Sequence, residues 1–171
     1  MVGAFNPGAT LVDDQVVLLV RIAEACEPRE GLVRVITGSI EFSSHGNADM
    51  VKITDEVKEA VRQAGLTDGT VTLFVPGATG ALTTLEYEPG VVEDVQRALD
   101  VVAPEDRFYQ HNVNLGDGNG HSHVRAGLVG PSLVVPFVDG RLTLGIYQNI
   151  VFCDFDARPR ERSIVVQVMG V

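Results

Sequence analysis

Apolar positions along the chain recur with two periods, and the switches fall where Gly, Pro and Asp gather. QVVLLVRIAEA (15–25) and LVRVITGSIEF (32–42) are β-branched runs of the kind strands use, parted by a turn at EPREG. After the loop SSHGNAD the period lengthens. Val57, Ala60, Val61 and Ala64 recur at i, i+3, i+4 and i+7, an amphipathic helix stopped by Gly65, with Thr54 placed to act as its N-cap. VTLFV (71–75) is short and apolar throughout, which predicts a buried strand. Pro89 and Gly90 precede a second helix, where Val91, Val95, Ala98 and Val102 share one face and Pro104 ends the run. The period then shortens for good. SLVVPFV (132–138) and RLTLGIYQNIVF (141–152) flank Asp139-Gly140, a dipeptide suited to a type I′ hairpin turn, and SIVVQVMG (163–170) is a last strand. Helices set among strands, with hairpins at the end, predict an α+β domain with largely antiparallel pairing.

Composition narrows the functional classes. The chain has 171 residues, 45% of them hydrophobic and 21% charged, which fits one globular domain with a substantial core. A formal net charge of −10 argues against nucleic acid as the main partner, since binding it relies on basic patches. No apolar run reaches the roughly 18–20 residues that would span a bilayer, and MVGAFNPGATLVDD lacks the basic start and apolar stretch of a signal peptide. A cytoplasmic protein is therefore expected. Cys26 and Cys153 stand far apart in no metal-type spacing and read as buried, reduced thiols.

The candidate chemistry gathers in HNVNLGDGNGHSHVRAG (111–127), which holds three of the four histidines. On an extended chain His121 and His123 point to one face, and His111 can return to them across GDGNG. Those three imidazoles would hold a zinc-like metal, with Asp117 or Asn119 as an oxygen ligand or an orienting group. The competing reading is a solvated polar loop. A cupin barrel is excluded, because Gly127 and Leu128 occupy the positions where its carboxylate ligand would follow H-x-H. His45, alone in SSHGNAD, reads as surface. PGATGALTTLEYEPG (76–90) reads as a loop whose amides can cradle an anion. In it, Glu86 is either a ligand or acid/base, or simply a charge that with Glu88 favours the following helix N-terminus. In RPRER (158–162), Arg158, Arg160 and Arg162 share one side of an extended segment, which suits phosphate; the competing reading is a charged strand edge.

From about residue 34 onward, an ordered set of motifs adds a further expectation. They are DEV within ITDEV, PGATGALTTLEYEPG with Asp94 downstream, YQH at 109–111, DGNGHSHVRAGLVGPSL, and PFVDGRLTLGIYQNIVFCDFDARPRERSIVVQVMG. On these the chain resembles the YjbQ-like family, also described as secondary thiamine-phosphate synthases. The resemblance implies a largely antiparallel β-sandwich with two or more helices packed on it, and a homotrimer. It makes 34–171 the family domain and 1–33 an atypical N-terminal extension. It marks Glu86, His111 and His123 as catalytic, and Gln148 as a further site residue. Gly77 stands where the commoner bacterial pattern has a histidine, so His121 is expected to supply the missing imidazole, and LGIYQNI replaces the commoner Thr-Trp before the glutamine. The implied reaction joins an aminopyrimidine methyl diphosphate to a thiazole phosphate and expels pyrophosphate. Arg158, Arg160, Arg162, Asn119 and Gln148 would then hold the small phosphorylated partner. The implied cofactor is a divalent metal. A His-rich set selects zinc-like ions, whereas Mg²⁺ prefers oxygen. That mismatch keeps two other functions open: a metal-dependent hydrolase of a small phosphorylated or acyl substrate, and a non-catalytic trimeric protein that binds a metal or anion.

Overall fold

The computed structural model describes the backbone of residues 4–12, 15–22 and 32–171, and side chains from residue 32 onward. β1 (Ala4–Val12) and β2 (Gln15–Ile22) form an antiparallel hairpin with Ala4 opposite Ile22 and Val12 opposite Gln15. They belong to one compact unit, Met1–Arg34, and Val35–Val171 forms another. The strand expected over 15–25 is present over Gln15–Ile22; its last three residues, and Cys26, lie outside the described residues.

The larger unit runs β3 (Arg34–Ser44), β4 (Asp49–Lys52), α1 (Thr54–Ala64), β5 (Gly69–Phe74), β6 (Gly80–Glu86), α2 (Pro89–Val102), α3 (Gln110–Leu115), α4 (Gly120–Val129), β7 (Ser132–Val138), β8 (Arg141–Leu142), β9 (Gln148–Asp154) and β10 (Arg160–Gly170). The strands make a sheet ordered β3-β10-β5-β7-β8 and a smaller one ordered β4-β9-β6. Pairing is antiparallel between β10 and β5, β5 and β7, β7 and β8, and on both sides of β9. This is the α+β, largely antiparallel architecture that the sequence predicts.

Two cores explain where the small sheet sits. In the first, Val57 and Val61 of α1 join Leu73, Phe137, Ile164 and Val166 of the large sheet, and Ile150 and Phe152 of β9. In the second, Val151 and Cys153 of β9 meet Met50, Ala81, Leu99 of α2 and Ala126 of α4. Alternate residues of β9 thus enter different cores, so the strand is apolar without alternation, as expected when both faces are covered. Burial pushes the Cys153 thiol up to about 12, the inert state expected for it.

Several local expectations change. Thr54 is the first residue of α1, not its cap. Its hydroxyl is buried and accepts from the Ile150 amide at 2.9 Å, tying the helix to β9. Gly65 does close that helix, at φ 64°. In α2 the inward positions are Val92, Val95 and Leu99, while Ala98 and Val102 are exposed; Pro89 is already helical and Glu88 caps the Gly90 and Val91 amides. The hairpin turn forms as predicted, with Asp139 at φ 50° and Gly140 at φ 68°. The long strand over 141–152, however, divides into β8 and β9, which lie in different sheets. The middle of the segment 76–90 is strand β6. Its small residues serve close packing: a Cβ at Gly80 would stand 2.8 Å from the Phe152 ring.

Candidate metal centre

The glycine-rich stretch 111–127 folds as two short helices, not as an extended chain. α3 ends at Gly116 in the left-handed region (φ 69°), and the chain turns through Asp117-Gly118-Asn119 into α4. Asn112 of α3 accepts the Gly120 amide at 2.8 Å, satisfying one free donor at the start of α4. Gly120 has to be glycine, because a Cβ there would come within 2.4 Å of Tyr109 Cβ.

The helical period overturns the expected ligand set. Two residues along a helix rotate a side chain by about 200°, so His121 and His123 leave opposite faces. His121 points inward. It is fully buried, its ring lies 6.4 Å from that of Tyr109, and Nε2 stands 3.3 Å from the Ser122 hydroxyl. Its Nδ1 has no hydrogen-bond partner among the described residues. Burial, reinforced by the Arg125 charge, holds its pKa below the ordinary histidine value. It therefore neither joins the other imidazoles nor replaces one at position 77.

His123 points outward and meets His111. The two rings pack edge to face with centroids 4.3 Å apart, and their Nε2 atoms are 3.1 Å apart. Asp117 Oδ1 stands 2.9 Å from the same Nε2 of His111, and one ligand atom from each of the three residues lies within 4.8 Å of the others. His123 Nδ1 donates to the Ala78 carbonyl at 2.8 Å, which leaves its Nε2 as a lone pair facing His111. The Asn119 amide donates to Asp117 Oδ1 and is the main reason its carboxyl titrates below the usual range. His111 and Asp117 keep side-chain exposures of 29% and 37%, so the cluster opens to solvent.

A zinc-like ion fits these residues. Two atoms each about 2.0–2.1 Å from a tetrahedral zinc stand about 3.3 Å apart, near the 3.1 Å and 2.9 Å that separate His111 Nε2 from His123 Nε2 and Asp117 Oδ1, and a two-nitrogen, one-oxygen donor set suits zinc better than Mg²⁺.

The other predicted residues divide in two. Arg162 grips the fully buried Asp154 through two bonds, Arg160 does the same to buried Asp156, and Asp154 also receives the Ser44 hydroxyl. Those guanidiniums are occupied by carboxylates, and β10 lies between β3 and β5, so Arg160 and Arg162 are internal ion-pair partners and fit neither the phosphate nor the strand-edge reading; Arg158 stays exposed. Asn119 is an anchor and not a ligand: its side-chain oxygen accepts from the Ala157 amide and the Ser122 hydroxyl, both at 3.0 Å. Glu86 and Gln148 face each other in register at the far end of β6. Six strand steps separate Glu86 from Gly80, about 20 Å at roughly 3.3 Å per residue, so within one chain Glu86 does not reach the histidines. Gln148 is engaged by Thr84 and the Gly145 amide. Sequence reasoning missed Tyr109 and Asn112, whose signal was their place before a glycine-bounded turn. It also missed the Ala78 carbonyl, which no side-chain pattern announces.

Comparison with known proteins places the chain in a family. Residues 38–171 match the family model described as UPF0047 protein YjbQ-like. A UPF0047 protein of Archaeoglobus fulgidus is 36% identical over 121 residues, covering 71% of this chain and 91% of that protein. YugU of Bacillus subtilis is 34% identical over 133 residues, covering 77% and 98%. The crystal structure of a protein of unknown function from Sulfolobus solfataricus superposes with a TM-score of 0.77 at 31% identity, covering 82% of this chain and all of that one. A Clostridium acetobutylicum structure gives 0.68 at 35% identity, covering 75% and 98%. No helix among the described residues is long and apolar enough to cross a membrane. With the fold, the motif order and the matched span in agreement, the chain belongs to the YjbQ-like UPF0047 family.

Proposed function

We propose that the protein holds a zinc-like divalent ion on His111, Asp117 and His123, and acts through it as a hydrolase of a small phosphorylated or acyl substrate. One observation carries this reading: His111 Nε2 stands 3.1 Å from His123 Nε2 and 2.9 Å from Asp117 Oδ1, and one ligand atom from each residue lies within 4.8 Å of the others. A proton relay would use the middle imidazole through its two different nitrogens. Here His111 offers the same Nε2 to both neighbours, the geometry of ligands around a cation.

When bound, such an ion supplies Lewis acidity to a phosphoryl or carbonyl oxygen and makes water a better nucleophile. The chain does the rest. Ala78 fixes the His123 ring so that Nε2 faces His111, and the Asn119 amide holds the Asp117 carboxylate in place. The backbone turn Gly116–Asn119 brings the carboxylate to the imidazoles, and three protein ligands leave the solvent side for substrate.

A second reading, thiamine-phosphate formation from an aminopyrimidine methyl diphosphate and a thiazole phosphate, rests on the activity that the motif resemblance implies. It has Arg158 for the phosphates, but not Arg160 or Arg162, which the buried aspartates hold. The exposed apolar residues Phe108, Val113, Leu115 and Leu128 lie on or beside α3 and α4 and are consistent with self-association next to the site.

Elemental analysis of the purified chain, followed by parallel assays on one sample, separates these readings. The account expects about one zinc per chain, phosphate or acid release from monoester and acyl substrates, and loss of both in His111→Ala. Thiamine phosphate formed without hydrolysis would select the second reading. Metal without turnover on either panel would leave a binding protein, and no metal in the wild type would overturn the site.

A further inference from the structure

We propose that Thr79 and Arg162 are positioning residues for His123: through the Ala78 carbonyl they decide which ring nitrogen carries the proton, and so which one faces the ligand point. The inference rests on the metal reading above for its purpose, though not for its geometry.

The Ala78 carbonyl that accepts from His123 Nδ1 belongs to the peptide plane shared with Thr79, so whatever fixes Thr79 aims that oxygen. Thr79 is held from three directions. Its carbonyl accepts from the Phe155 amide at 2.8 Å, its hydroxyl donates to Asp156 Oδ2 at 3.2 Å, and the same hydroxyl accepts from Arg162 Nη2 at 3.0 Å. Ala78 itself is exposed and Thr79 is buried, so the anchor lies on the Thr79 side of the peptide. Arg162 is rigid in turn. Its guanidinium is locked onto fully buried Asp154 and lies 5.9 Å from the Phe152 ring centre. A continuous set of bonds therefore runs from the buried end of the small sheet, through Arg162 and Thr79, to one imidazole.

The consequence concerns tautomers. With the carbonyl in place, Nδ1 keeps the proton and Nε2 presents a lone pair toward His111 and Asp117. With the carbonyl free to turn, nothing selects Nδ1–H, and part of the population presents an N–H where a ligand lone pair is needed.

The test uses the full chain, ¹⁵N-labelled at histidine and freed of metal, with two-bond ¹H–¹⁵N spectra recorded at a pH where His123 is neutral. Wild type should show His123 as the Nδ1–H tautomer alone. Thr79→Val removes both hydroxyl bonds at nearly constant volume and should give a tautomer mixture. Thr79→Ser should restore the wild-type pattern. Arg162→Lys keeps a charge beside Asp154 but withdraws the bond to Thr79, and should also give a mixture. It stands in if Thr79→Val does not fold. A cobalt titration of the same samples should show affinity lowered about 10- to 100-fold in the mixed-tautomer variants. A wild type that is not Nδ1–H, or a folded Thr79→Val or Arg162→Lys that stays wholly Nδ1–H, overturns the proposal. Failure of wild type to bind cobalt would instead sink the metal reading, since the tautomer is read without any ion.

Discussion

Two polar clusters lie at the same end of the small sheet, and they are wired in opposite ways. Around Asp154 and Asp156, carboxylates are buried and meet donors from Arg160, Arg162, Ser44 and Thr79. Around His111, Asp117 and His123, acceptor atoms crowd one another at the surface, with one imidazole oriented from behind. The first cluster has spent its hydrogen-bonding capacity on itself, so its contribution is to the fold. The second has capacity left over beside solvent, which is where the proposed ion would sit. Residue type does not separate them, since both hold acidic groups beside cationic or cationisable ones. Saturation does.

That contrast predicts the largest effect at Arg162. Arg162→Met leaves Asp154 buried and without its partner, and denaturant unfolding should show a loss of about 3–5 kcal/mol. Adding Asp154→Leu should recover most of that loss, whereas no recovery would mean that the pair is not the reason. In the open cluster the balance reverses. His111→Ala or His123→Ala should change metal-free stability by less than about 1 kcal/mol, because both sites are partly exposed. Each should nonetheless lower zinc affinity more than 100-fold, beyond what loss of an orienting group causes.

His121 sharpens the comparison, because it sits between the two clusters in kind: an imidazole of the histidine-rich stretch, yet wholly buried. His121→Leu should keep stability within about 1.5 kcal/mol and zinc affinity within twofold. A large fall in affinity would return it to the ligand set. Acid should act on the saturated cluster. Burial alone would raise the Asp156 pKa, but the Arg160 guanidinium, the Thr79 hydroxyl and the Arg158 amide outweigh burial and hold it below 3.8. Its contribution is therefore present above that value and is lost as pH falls through the lower folded pKa. Arg160→Gln should shrink this acid limb of the stability curve; an unchanged limb would assign it to other carboxylates. The smallest effect is expected at Glu86. Glu86→Ala should leave stability within about 0.5 kcal/mol and zinc affinity within twofold, given its exposure and its distance along β6.

How much of this was legible in the chain depended on which physical term dominated locally. The 3.6-residue period of α1 and the last strand could be read directly because burial on one face imposed the pattern, and the Asp139-Gly140 turn because those two residues tolerate positive φ. α3 and α4 could not. Their Gly, Asn and Ser residues have poor helix propensity, and the helices stand on a glycine cap and a cross-helix bond from Asn112, both tertiary features. β6 was hidden for a related reason, since a strand pressed against Phe152 needs small residues that by composition resemble a loop. At the site, the density of histidines drew attention to His111 and His123, which the fold brings side by side. Taking an extended period for a helical one put His121 on the wrong side and left Asp117 as one option among several. Arg160 and Arg162 were misjudged because their partners, Asp154 and Asp156, precede a bend that only the folded chain closes.

The most direct test is a cobalt titration of the full chain, followed by visible absorption, for wild type, His111→Ala, Asp117→Asn, His123→Ala and His121→Leu. The account predicts one ion per chain with the intense bands of a four-coordinate site in wild type and His121→Leu, and their loss in the three ligand variants. Identical spectra from wild type and those three variants, or no cobalt bound by any of them, would contradict it.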